Sequence, residues 1–236
     1  MSIFARIYVS LVVIIGLCVT ISELSRWESQ DLARFFSYLI LSILASRLKV
    51  VLPAITGTLS VLFIFILFGI VELSLPEALF MGCAATLIQC FWHNRKRPKT
   101  HQVLFNLGSM AIAIACTSYA YHSKILHQGH LDAAITLLVT ATVFFAMNTF
   151  PVAAAIALTE RKSLRQIWQE CYFWSFPYYL LGAGIAGAAS AINRHFGWQT
   201  ALLAVPVVYL IYRSYYLYLG RMEDEKKHAE EMAALH

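Results

Sequence analysis

The stretch DAAITLLVTATVFFAMNTFPVAAAIAL, residues 132–158, carries no ionisable side chain after Asp132. An α-helix needs roughly 20 apolar residues to cross the ~30 Å hydrocarbon core of a bilayer, so this run is a membrane span. It is one of several. Further apolar runs lie near residues 4–22, 32–46, 52–72, 76–93, 102–121, 175–192 and 199–219. They give an all-α, polytopic transmembrane helical bundle of about eight spans. Seven is the alternative, because the run at 32–46 is short and is followed by a break at Pro53 and Gly57. Composition agrees: the 236 residues are 59% hydrophobic and 13% charged, against roughly 45–50% apolar and 25% charged in soluble domains. A soluble enzyme, a disordered segment and a nucleic-acid-binding module are excluded.

The net charge of +5 sits in short clusters between apolar runs. Arg95, Lys96, Arg97 and Lys99 form the densest, followed by Arg161, Lys162 and Arg165, then Arg221, Lys226 and Lys227, and Arg47 with Lys49. Eight spans put all of these on one side together with both termini. The positive-inside rule makes that side the cytoplasm, so a cytoplasmic membrane with both termini inside is expected. The five cysteines lie in or beside apolar runs without disulfide or zinc spacing, and they read as small apolar packers.

Several junctions are legible. Ser74-Leu75-Pro76-Glu77 has capping-box spacing, with Glu77 reaching back to the Ser74 amide. Asn193-Arg194-His195-Phe196-Gly197 reads as a tight exterior loop. Between Gly182 and Ala191 small residues recur four apart, a face for close helix packing. The stretch from Met222 to His236 is charged and rich in helix formers. Within it and just before it, Leu219, Met222, Ala229 and Ala233 form a partial heptad seam. The expected division is a sensor bundle over residues 1–219 and a cytoplasmic signalling helix over 220–236, with homodimerisation through that helix. The helix pattern reaches His236 uncapped, so a cytoplasmic output domain is expected to follow.

The segment from Tyr218 to His236, YLGRMEDEKKHAEEMAALH, resembles the linker after the membrane part of bacterial HD-GYP phosphohydrolases. Leu52–Thr58 (LPAITGT), Asn148-Thr149 and Glu170–Pro177 (ECYFWSFP) are similar to their multi-pass sensor domains. Such domains precede HD-GYP or GGDEF modules, which degrade or make cyclic di-GMP. The resemblance implies a sensory input module. It transfers no catalytic residue, since the HD, GYP and GGDEF motifs are absent.

Polar residues inside apolar runs are candidate sites because burying one unpaired costs several kcal/mol. Asn148 and Thr149 precede Pro151 near the middle of the longest run. There a proline removes the hydrogen bond to the Met147 carbonyl and should kink the helix. This spot either binds a small ligand or forms an interhelical hydrogen bond with Asn106 or Ser109. Thr56 and Thr58 either cap the third helix or line the same cavity. Glu170, Tyr172 and Trp174 lie in an aromatic-rich stretch that forms an interfacial belt or a ligand-facing wall. Before it, Ser163–Trp168 reads as a short helix on the membrane surface. His122, His127, His130 and Asp132 are weak candidates for a metal site, at irregular spacing in an exterior loop. No cofactor is specified.

Three functions remain. A sensor would bind a small or lipophilic ligand and bias the exit helix. A small-molecule transporter or substrate-capture protein would resemble vitamin-uptake components and use the helix breaks near Gly57 and Pro151. It lacks an internal repeat and a paired intramembrane acid and base. A membrane enzyme lacks a reactive cluster. The sensor accounts for the charged tail, with membrane lipid and an unknown small molecule as partners besides a second copy.

Overall fold

The computed structural model describes residues 3–29, 31–51, 58–91, 98–123 and 133–203. Beyond these it describes residues 206, 209–210, 213–214, 216–218 and 220. Among the described residues of 3–196, eight α-helices carry the fold: α1 (Ile3–Leu24), α2 (Leu32–Ser46), α3 (Leu62–Glu72), α4 (Leu75–Phe91), α5 (Thr100–Tyr121), α6 (Ala133–Glu160), α7 (Leu164–Cys171) and α8 (Phe176–Phe196). The later described residues are in a 3₁₀ turn, Trp198–Leu203, and then in helix.

The surface of this bundle is what a bilayer selects. Helix α1 exposes Ile3, Phe4, Ile7, Leu11, Ile14 and Ile21, each more than half accessible. Leu32, Phe36, Ile40 and Leu44, four apart along α2, also face outward. A soluble monomer rarely exposes so continuous an apolar surface; lipid tails require it. By length and composition, α1, α5 and α6 can each cross a membrane.

The third expected span is shortened. An antiparallel two-stranded ladder pairs β1 (Lys49–Val51) with β2 (Thr58–Ser60), Lys49 opposite Ser60. It takes up residues read as the start of a span at 52–72. Helix α3 therefore begins only at Leu62 and has 11 residues, about 16 Å long at 1.5 Å per residue. Thr58 lies in the ladder rather than at a helix N-cap; that position is Val61, with no side-chain cap. Thr56, Pro53 and Gly57 lie outside the described residues.

The loop expected at Asn193 is also corrected. Helix α8 continues through Asn193, Arg194, His195 and Phe196 and ends at Gly197. Gly197 has φ 91° and gives its N–H to the Asn193 carbonyl at 2.9 Å. That positive φ suits a glycine helix stop, and it leaves Asn193 inside the bundle.

The core joins α2, α3, α4, α5, α6 and α8. Phe63 stacks on Tyr179 at 4.7 Å, with Phe144 and Phe145 packed around the same ring. Of the small residues on α8, Gly182 abuts Phe63 and Gly187 abuts Leu137, whereas Gly184 faces open space. A close backbone approach lies elsewhere: Gly16 of α1 meets Gly108 of α5 with no side chain between them.

Candidate functional site

The N-terminal ends of α1 and α5 and the C-terminal ends of α4 and α6 enclose a cleft of about 970 Å³. This brings Arg6, Lys99 and Glu160 to one end of the bundle. The cleft has an apolar wall from Val9, Phe105, Val152 and Ile156 and a polar rim from Arg6, Lys99 and His101. Its local chemistry follows from helix ends. The Lys99 N–H donates to the Gln102 side-chain oxygen at 3.1 Å and so starts α5, which brings Lys99 to the rim. Glu160, the acidic residue of the lining, pairs with Lys162 at 2.8 Å, and both are exposed.

Asn106 belongs to this cleft rather than to the mid-depth spot around Asn148. Its Nδ2 lies 3.5 Å from Cys90 Sγ. Ser109 is buried on the same helix, and its hydroxyl has no partner among the described residues. Neither pairs with Asn148.

Asn148 instead donates to Tyr179 Oη at 2.8 Å, a bond from α6 to α8. Thr149 is buried; it donates to the Phe145 carbonyl at 2.7 Å and accepts from Trp168 Nε1 at 3.0 Å, a bond from α6 to α7. Tyr8 of α1 donates to the Pro151 carbonyl at 3.3 Å. Within two turns, α6 is thus tied to α1, α7 and α8. Asn148 Nδ2 and the Thr149 hydroxyl thus form a clasp between helices.

The aromatic stretch divides. Tyr179 is buried and Tyr172 packs beside α7, while Phe173 and Trp174 are exposed, Trp174 at 68%. Glu170 is placed by its backbone alone, in α7. Helix α7 packs Ile167 against Ala153 and Ala157 of α6, with Arg165 and Gln166 exposed.

Opposite the cleft, sequence reading missed a polar cluster. Glu72, at the end of α3, accepts from Ser190 Oγ and from Asn193 Nδ2, the latter at 3.4 Å. Asn193 also donates to Tyr38 Oη at 3.1 Å, and Thr200 donates to Asn193 Oδ1 at 3.1 Å. Reading Asn193 as a loop residue hid this; the run-on of α8 to Gly197 was the usable signal. The Ser74–Glu77 cap is present: Glu77 accepts from the Ser74 N–H at 3.0 Å and from Ser29 Oγ at 2.6 Å.

His122 Nδ1 lies 2.9 Å from the Ser118 carbonyl. The His122 backbone N–H donates to the same carbonyl at 2.9 Å and closes α5. His127, His130 and Asp132 lie outside the described residues, as do Leu219, Met222, Ala229 and Ala233.

The family model MASE9 matches residues 8–217. No curated protein and no solved structure matches the chain.

Proposed function

Because this chain belongs to MASE9, a family of membrane-associated sensory domains, we propose that it binds a small or lipophilic ligand in the cleft between α1, α4, α5 and α6. The signal passes through the C-terminal helix to a cytoplasmic output domain that turns over cyclic di-GMP. Both termini then lie in the cytoplasm of a bacterial cell, and residues 220–236 form a dimeric connector. The observation that carries the reading is the placement of Val152 and Ile156 in the cleft wall, on the same helix as the Asn148 and Thr149 clasp. A ligand that moves α6 would move α8 through Tyr179, and α8 leads into the last apolar run. A ligand can shift such a bundle only by binding one arrangement better than another.

The test uses the complete gene product in cells. Asn148→Leu and Tyr179→Phe each remove the α6–α8 bond and leave the cleft lining intact. Either substitution is expected to change cellular cyclic di-GMP by about fivefold, the low end of measured coupling between sites. An unchanged level in both variants, with normal expression, would count against transmission through this clasp. A complete product ending within a few residues of His236 would remove the output step altogether.

A further inference from the structure

We infer that the cleft holds an anionic phospholipid from the adjoining leaflet. This rests on the proposal that the cleft is the ligand site, and it names the ligand class. The cleft combines two chemistries that free metabolites rarely need together. Phe105, Val152 and Ile156 give an apolar wall, on a bundle whose outer surface is itself apolar. Arg6 and Lys99 stand exposed at the rim, and neither forms an ion pair with a carboxylate among the described residues. His101 and Gln102 add polar groups beside them. The rim's carboxylate, Glu160, is already paired with Lys162. The rim therefore presents net positive charge, and Arg95, Lys96 and Arg97 adjoin it in sequence.

An acyl chain along the wall with a phosphodiester between Arg6 and Lys99 satisfies both chemistries at once. Arginine suits such a group because its planar fork presents paired donors to phosphate oxygens. Basic pockets between membrane helices on the cytoplasmic side recognise anionic headgroups in this way. A zwitterionic lipid would bring its own cation to an already basic rim. The domain would then report the anionic lipid content of its own membrane.

The test strips the purified full chain of lipid in detergent. It then titrates the chain with phosphatidylglycerol or with phosphatidylcholine of the same acyl chains, read by native mass spectrometry. The expected result is one retained phosphatidylglycerol, bound about tenfold tighter than phosphatidylcholine. The double substitution Arg6→Gln with Lys99→Gln should abolish that preference, and Ala155→Trp, which fills the apolar wall, should reduce binding of both lipids. Glycerol phosphate should not displace the lipid; if it does so at equal concentration, a free phosphate rather than a lipid is the ligand. Equal binding of the two lipids, or a preference that survives the double substitution, would overturn the inference. A retained lipid whose content leaves output activity unchanged would sink the sensory reading and leave the lipid site standing.

Discussion

Replacing Gly108 with leucine is expected to force α1 away from α5 and to cost the bundle about 3 kcal/mol or more. A Cβ at Gly108 would lie 2.9 Å from the Val12 carbonyl oxygen and 3.2 Å from the Val13 Cα. These are backbone atoms and cannot rotate aside as a side chain would. Across this interface a Cβ on Gly16 would overlap the Gly108 backbone itself. In lipid the helices are held by van der Waals contact and hydrogen bonds, because apolar burial gains little there, so backbone proximity matters more than in water. Thermal unfolding in mild detergent should show a midpoint about 10 °C lower for a chain of this length. Gly184→Ala is the matched control: a Cβ there meets nothing within 4 Å, and its effect should stay within about 0.5 kcal/mol. Equal midpoints for Gly108→Leu and wild type would refute the close crossing.

Glu77→Ala is expected to be comparably severe. Glu77 is only 2% exposed, and its two carboxylate oxygens take three donors: the Ser74 N–H, Ser74 Oγ and Ser29 Oγ. Hydrogen bonds to charged groups contribute roughly 1.5–3 kcal/mol each, and the part-buried donors left without their acceptor add to the loss. The set shares one acceptor group, so the terms do not add. A destabilisation of about 3 kcal/mol is expected, read as a lower unfolding midpoint. Ser29→Ala takes the donor from Glu77 Oε1 but keeps both Ser74 bonds to Oε2, so it should cost less, about 1–2 kcal/mol. If Ser29→Ala proved as harmful as Glu77→Ala, the long-range bond between residues 29 and 77 would outweigh the helix cap.

The two sites differ in how far local sequence reveals them. Glu77 follows Ser74 at the spacing a capping box needs, and such spacing is visible in one dimension. Its bond to Ser29, 48 residues away, is a matter of packing and leaves no periodic trace. Gly16 and Gly108 are each single glycines in apolar runs, while the small-residue stripe of α8 drew attention to Gly184, which packs against nothing. Spacing marks which face is small; it does not say which neighbour arrives.

The apolar runs located the helices well because the bilayer imposes one rule on every span. They failed at 58–61, where hydropathy cannot distinguish the start of a span from the strand Thr58–Ser60 that precedes α3. In the candidate site, Asn148 and Thr149 were legible as unusual polar residues. Their partners were not, since Tyr179 and Trp168 each lie on other elements. Asn106 lines the cleft with Arg6 and Lys99 rather than pairing with Asn148. The cleft itself has no motif, because four helix ends remote in sequence build it.

The central claim is that occupancy of this cleft sets the output of the complete protein. The most direct measurement is cyclic di-GMP turnover by the complete gene product in nanodiscs, comparing wild type with Ala155→Trp. The substitution puts an indole where the cleft is open and leaves Asn148, Tyr179 and the C-terminal helix untouched. The account predicts turnover that differs from wild type by about fivefold and no longer responds to lipid composition. Turnover identical to wild type, with the same response to lipid, would contradict it.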